Sequence, residues 1–503
     1  MQDIQTLMID DYQRGRRPLT WADLRGPLPN SAIVLADSIG LYSEVVLTAS
    51  ALTNNGDGTA TVTISAGHAS CVGTPVRLGA TTAKETNAVD AVITAVASST
   101  VFTCALAGRT HSATGAGPGN VAFPRRRSSK GFVTAYETLR GKQFDTITWC
   151  TVGGGTAAHV HELARVSNPG PYSVAFVCVG MNNVYSVGQS FATAWAEIEA
   201  LLTFARDVAR YVVVVSIPPR DSGGAFWSSD KQSVHNQLNR RMHLECMRYG
   251  LIWINSWRAT WGGVSYVNGG ATNPDPTAAM TADGTHPSMP GAYAMAAAID
   301  AKLTPLIDLD GYLAAHASMI GADAGNILTD SNFSGGTTAP TNWGITNVTS
   351  GASVTGSMEN RTVAADGDAF GRNALATFNY GSASGQASFR YTRSSSLHAS
   401  LTAGKKFKAY IPFSIKNGLD IQGFDLVIGG TMSGGQSWFV QGNLVDSNTD
   451  GFAGDVEGLI ETVESVIPSG ISACQPYVRV LFGSGQTSDA EFRWWHPVFR
   501  VYD

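Results

Sequence analysis

The chain is expected to fold as an α/β domain on a parallel sheet, interrupted by a small antiparallel β-module and followed by a β-sandwich. Three observations predict this. Near-continuous apolar runs alternate with helical patterns across residues 31–48 and 124–304, as strands buried on both faces and joined by crossover helices do. Residues 49–123 break that rhythm with short Thr/Val strands and Gly turns. From residue 326 to 503 only short alternating strands and turns occur, the pattern of a sandwich.

Residues 1–30 form an N-terminal segment without an apolar core of the kind a secretory signal needs. No stretch approaches the roughly 18 apolar residues of a membrane span. The expected parallel strands are Ala32–Leu35, Thr146–Val152, Val174–Val179, Tyr211–Ile217 and Leu251–Asn255. The amphipathic helices between them are Phe132–Leu139, Ser190–Ala209 and Ser229–Tyr249, and Pro290–Leu303 closes the unit. Such alternation implies right-handed crossovers. The 49–123 module looks inserted just after Ser38, because its removal joins IVLADSIG to the helix SKGFVTAYETLRG. Residues 305–325 form a helical connector to the 326–503 sandwich.

Composition narrows the function. Charged residues are 15%, below the roughly 25% of average domains, and the net charge is −5 without long charge runs. Nucleic-acid and membrane-surface binding are therefore not expected. The six cysteines, at 71, 104, 150, 178, 246 and 474, have no metal-site spacing, and no metal or cofactor is expected. Cys71 and Cys104 share one small β-rich segment, where they either pair or stay free.

The chemistry lies at strand ends. Ser38 follows the first strand, where an open α/β sheet presents a reactive side chain. Asp283-Gly-Thr-His286 supplies a base and a carboxylate to orient it, so the three read as nucleophile, base and orienter. A serine opening a helix also keeps its own N–H free to donate to an oxyanion. Gly153-Gly154-Gly155 follows the second strand and permits a close backbone approach. Asn182, in Gly180-Met181-Asn182-Asn183 after the third strand, offers an amide donor. Taken singly, Ser38 reads as a helix N-cap, the Asp-Gly-Thr-His run as a surface turn and Asn182 as a loop cap. The glycines read as a flexible turn, since no Lys-Ser/Thr follows as in a phosphate loop. Joint occurrence in this order favours catalysis. His159 and His161 either line the cleft or sit on a solvated helix. Arg125, Arg126 and Arg127 read as a solvated loop or an anion contact.

The order Asp37-Ser38, Gly154-Gly155-Thr156, Gly180-Met181-Asn182 and Asp283-x-x-His286 resembles the SGNH/GDSL hydrolase family over about 200 of the 503 residues. The resemblance implies a flavodoxin-like α/β/α sandwich on a five-stranded parallel sheet. It implies ester hydrolysis without a metal, often of acetyl groups on sugars. Ser38, Asp283 and His286 would form the triad, and Ser38, Gly154 and Asn182 the oxyanion hole. Three departures stand out. Ala36 replaces a usual Gly, Asn183 replaces a common Asp, and Gly154 and Gly155 compete for the oxyanion position.

The inserted module resembles small β-modules of bacteriophage tail and baseplate proteins. NILTDSNFSGGTTAPTNWGI and RWWHPVF resemble the first and last strands of jelly-roll carbohydrate-binding modules. Trp343, Trp438, Trp494, Trp495 and Tyr477 either stack on sugar rings or fill the sandwich core. The combined expectation is a tail-associated esterase acting on an acetylated bacterial surface polysaccharide. It would work in a virion or extracellularly, as a homotrimer or attached to other virion proteins. The alternatives are a non-catalytic receptor-binding tail protein, a lipase-like or thioesterase activity, and a free microbial xylan acetylesterase. No long apolar lid sequence is visible, which favours short acyl groups.

Overall fold

The computed structural model describes residues 30–41, 45–65, 67, 70–79, 89–106, 114–123, 126–128, 131–140, 144, 146–167, 170–220, 226–260, 283–307, 326–328, 333, 335–360, 372–418, 420–432, 436–444, 455–487 and 489–503. Segment 1–29, most of connector 305–325 and Arg125 lie outside them. The chain divides into two units: Met1–Leu41 with Gln143–Leu309, and Tyr42–Lys142 with Asp310–Asp503.

The first unit carries a five-stranded, all-parallel sheet. Its strands run in the order Ile252–Ile254, Ala209–Val215, Tyr172–Cys178, Ser31–Ala36, Thr146–Thr151. Numbered along the chain this is 2-1-3-4-5 read from the other edge, the flavodoxin-like order, and the five expected strands are all present. Ser31–Ala36 is buried at every position because it sits between two strands and under both faces. The helices form where the apolar spacing predicts. Phe191–Val208 buries Ala194, Ile198, Leu201, Leu202 and Ala205, and the Ser190 hydroxyl accepts from the Thr193 N–H. Ser229–Tyr249 is capped by Ser228 and ends at Gly250, whose φ of 65° is left-handed. Met289–Leu303 starts on Ser288 with Pro290 in its first turn. A further helix, Ala157–Ser167, was expected only as a helix start at His159.

In the second unit, residues 45–123 close into a six-stranded antiparallel barrel, in the order Val45–Asn54, Thr59–Ile64, Val101–Leu106, Val89–Val96, Pro75–Gly79, Thr114–Phe123. Closure removes the exposed edges a module of this size would otherwise carry. Its core is built from Leu52, Val62, Val76, Leu78, Ile93, Phe102, Val121 and Phe123. Cys71 and Cys104 are buried free thiols there, so the pairing left open by their spacing is not made. The Phe132–Leu139 helix forms as expected and is grouped with this unit, where its Thr138 carbonyl lies against Gly458.

The C-terminal region is a β-sandwich of two largely antiparallel sheets. One contains Trp343–Thr346, Ala387–Arg393, Ile471–Phe482, Ile421–Met432 and Ser437–Leu444, and Arg126–Ser128 adds in parallel at its edge. Arg126 and Arg127 are thus strand residues rather than loop residues. The other sheet centres on Lys406–Lys416 and Ala490–Trp494. Aromatic rings fill the space between, with Trp494 packed edge-on against Phe333 and Trp343. Trp343, Trp438, Trp494 and Trp495 are all buried, which decides between the two readings in favour of the core. The inward parity of their strands claims Trp343, Trp438 and Trp494 for the core, and Trp495 follows just beyond the Ala490–Trp494 strand. Tyr477 is half-buried, and the Arg390 guanidinium lies 4.4 Å from its ring centre.

Candidate active site

Three adjacent parallel strands end at one place. Ala36 pairs with Thr151 on one side and Cys178 on the other. Just beyond the sheet, the Val152 N–H donates to the Ala36 carbonyl at 3.1 Å, and the Asp37 N–H donates to the Cys178 carbonyl at 3.2 Å. Ser38 therefore leaves the sheet between the Gly153–Gly155 turn and the Gly180–Asn182 turn. It opens a four-residue helix, Ser38–Leu41, started by the Asp37 carboxylate, which accepts from the Ile39 N–H at 3.1 Å. A Cβ on Gly40 would stand 2.3 Å from the Ala36 Cβ. The Ala36 side chain is thus accommodated because position 40 has none.

His286 reaches this point from the far end of the unit. Its Nε2 lies 3.0 Å from the Ser38 Oγ, and its Nδ1 lies 2.6 Å from Asp283 Oδ2. Asp283 Oδ1 also accepts from the N–H groups of His286 (2.8 Å) and Thr285 (3.0 Å), which locks the turn. Because the carboxylate only accepts, the Nδ1–H of His286 must point to it, leaving Nε2 as the acceptor for the serine hydroxyl. Partial burial raises the Asp283 pKa. The His286 hydrogen bond and charge, with the two N–H donors, outweigh that and hold it well below the carboxylate range. Asp283 stays ionised throughout the working pH range.

Gly154 has φ 71° and open space where a Cβ would stand, and its N–H has no partner among the described residues. The Gly155 N–H, in contrast, donates to the Val152 carbonyl at 3.0 Å, and a Cβ there would meet Val152 at 2.6 Å. Gly155 closes the turn, whereas Gly154 presents a donor. Asn182 is 7% exposed. Its Oδ1 accepts from the Ser186 hydroxyl at 2.9 Å and its Nδ2 donates to the Gly155 carbonyl at 3.2 Å. That fixes the amide and leaves one Nδ2 hydrogen for a ligand. Asn182 opens a turn of π-helix, Asn182–Ser186, closed by the Val187 N–H on the Asn182 carbonyl at 2.9 Å.

His159 and His161 take structural places. His159 Nδ1 accepts from the Thr156 N–H at 3.1 Å at a helix start, and His161 packs against Phe204 with ring centres 5.5 Å apart. Two features lay beyond sequence reasoning. Asp37 is fully buried beside Ser38 with Oδ2 unpartnered among the described residues. Burial pushes its pKa up to about 6, against the pull of the Ile39 N–H, the His286 charge and the nearby Met181 and Asn182 N–H groups. Asn183, fully buried, donates to Glu197 and accepts from the Ala157 N–H. An apolar-flanked Asp-Ser pair hints at the first feature, but no local signal announces the second.

No family model matches the chain, and no curated protein matches it either. Solved structures similar to it include a GDSL-like lipase from Bacteroides thetaiotaomicron, at 17% identity, covering 32% of this chain and 77% of that one, with a TM-score of 0.28. An acetyl-xylooligosaccharide esterase from Geobacillus shares 11% identity, over 31% of this chain and 71% of that one, with a TM-score of 0.25. A xylan-binding domain from Paenibacillus barcinonensis shares 15% identity, over 36% of this chain and 99% of that one, with a TM-score of 0.23.

Proposed function

We propose that the parallel-sheet unit is a serine esterase of the SGNH/GDSL type that removes short acyl groups, foremost acetyl, from a polysaccharide. The observation that carries this reading is the unbroken chain of contacts from Ser38 Oγ through His286 to Asp283, at 3.0 and 2.6 Å. Ser38 attacks the ester carbonyl while His286 Nε2 takes its proton, and Asp283 stabilises the imidazolium that forms. The N–H groups of Ser38 and Gly154 and the free Nδ2 hydrogen of Asn182 receive the oxyanion. The tetrahedral intermediate collapses, His286 returns the proton to the departing sugar oxygen, and the acyl group stays on Ser38. A water molecule, deprotonated by the same Nε2, then releases acetate and restores the serine.

The substrate class and setting rest on the sequence. The module cadence, the glycan-module-like ends of the sandwich and the absence of a long apolar lid sequence support a tail-associated deacetylase of a bacterial surface glycan. It would act as a trimer or attached to other virion proteins. The test is hydrolysis of p-nitrophenyl acetate, butyrate and octanoate by wild type and Ser38→Ala, followed by acetate release from O-acetylated capsular polysaccharide. Acetate preference that vanishes with Ser38 supports the reading. Activity equal in both proteins overturns catalysis, octanoate preference redirects it to lipids, and no acetate from any acetylated glycan removes the polysaccharide.

A further inference from the structure

Asn183 stands where the resemblance leads one to expect Asp, and its surroundings explain the change. Its Oδ1 accepts from the Ala157 N–H at 3.0 Å, in the first turn of the Ala157–Ser167 helix that follows the Gly153–Gly155 turn. Its Nδ2 donates to Glu197 Oε2 at 2.8 Å and to Gln189 Oε1 at 2.7 Å. Glu197, from the Phe191–Val208 helix, also accepts from the Ala158 N–H at 3.2 Å and from Gln189 Nε2 at 2.7 Å. The Gln189 N–H closes the circuit on the Asn183 carbonyl at 2.9 Å. One carboxamide and one carboxylate thus cap the same helix N-terminus in trans, where its N–H groups and dipole favour an acceptor and a negative charge. The residue before Asn183 is Asn182, and the helix they cap begins three residues after Gly154. Two turns that carry separate oxyanion donors are joined through this pair.

We propose that Asn183 and Glu197 are positioning residues that set the separation of the Gly154 and Asn182 donors, an inference that rests on the esterase reading above. Aspartate at 183 would face Glu197 Oε2 with no proton between them and lose both donor contacts. A carboxylate pair that close holds a shared proton, so the damage fades as pH falls. Glu197 is otherwise held below the usual carboxylate range. Burial raises it, but Thr156, Gln189, the Ala158 N–H and Asn183 all hydrogen-bond to its charged form. The other titratable groups nearby are His159, engaged by Thr156, Tyr185, bonded to Gln232 and His235, and Asp37, beside the Met181 and Asn182 backbone.

The experiment measures kcat and KM on p-nitrophenyl acetate from pH 5.5 to 9 for wild type, Asn183→Asp, Glu197→Gln and the double variant, with Ser38→Ala as background. At pH 8 Asn183→Asp should lose about 10²-fold in kcat, the scale of one displaced oxyanion donor, with KM within about 3-fold. Its kcat relative to wild type should rise as pH falls. The double variant, which restores one carboxylate and one amide, should regain kcat to within about 5-fold of wild type at a pH-independent ratio. A kcat for Asn183→Asp within about 3-fold of wild type at pH 8 would overturn the inference. So would a loss that neither acid nor Glu197→Gln relieves. Should Asn183→Asp fail to fold at pH 8, the double variant decides alone: recovered kcat supports the coupling, and a folded but slow enzyme refutes it. Wild type no faster than Ser38→Ala removes the esterase reading itself, and the inference with it.

Discussion

Replacing Asp37 with asparagine should raise the protein's stability relative to wild type increasingly as pH rises. The carboxyl is fully buried and titrates at about 6 in the fold, against 3.8 for the free side chain. Between those values the folded state binds more protons than the unfolded state, so stability falls as pH rises through that window. The full cost, present above the folded pKa, is about 3 kcal/mol at about 1.36 kcal/mol per pKa unit. At pH 4 the unfolded carboxyl is already partly ionised, so about 2 to 3 kcal/mol of this develops between pH 4 and 7.5. The carboxamide of the Asp37→Asn variant cannot ionise, and whatever hydrogen bonding it gains or loses is the same at every pH. The stability difference between variant and wild type should therefore grow by about 2 to 3 kcal/mol across that range. For a unit of this size that is a relative melting shift of about 5–10 °C. Differential scanning calorimetry of the intact chain at half-unit pH steps reads it from the transition of the parallel-sheet unit. A difference between variant and wild type that stays flat from pH 4 to 7.5 would refute the reasoning, because it would mean the carboxyl does not titrate between 3.8 and 6. The resident cost has a structural source: Asp37 holds the Ile39 N–H and so starts the helix that aims Ser38.

Three further outcomes follow from the same site. Asn182→Ala should lower kcat by about 10²–10³ with little change in KM, measured by steady-state kinetics on p-nitrophenyl acetate; unchanged turnover would remove Asn182 from the oxyanion hole. Asp283→Asn should cost on the order of 10⁴ in kcat, because the amide can hold His286 in the wrong tautomer while its position hardly moves. Gly40→Ala should destabilise the protein by about 1–3 kcal/mol through overpacking against Ala36, and adding Ala36→Gly should recover most of it in urea unfolding.

How far the fold could be read beforehand depended on whether each signal was local. Ser31–Ala36 and Tyr172–Cys178 were recognisable as strands because strands covered on both faces are near-continuous apolar runs. The Phe191–Val208 and Ser229–Tyr249 helices were legible because their buried apolar positions recur every three or four residues along the chain. The Ala157–Ser167 helix was legible only as a start beside His159; that its first N–H groups are met by Asn183 and Glu197, 26 and 39 residues away, was not, because no local pattern encodes such distant partners. The barrel was legible as a β-module but not as a closed ring, since closure depends on the pairing of its first and last strands. The tryptophans of the sandwich were undecided for a similar reason. Burial is set by which face a strand turns inward, and only the packed sheets settle that.

Residue types and their order along the chain were enough to name the strands, the strand-end residues and the chemistry they suggest. The three-dimensional path decided the rest. It brought Ser38 and His286 together across 248 positions, engaged the Gly155 N–H in its turn while leaving that of Gly154 open, and set Asn183 against Glu197. Periodicity, capping and turn propensity act over a few residues and are written in the sequence itself. Distances between groups far apart in the chain exist only once the sheet order and the helix packing have fixed where each strand ends.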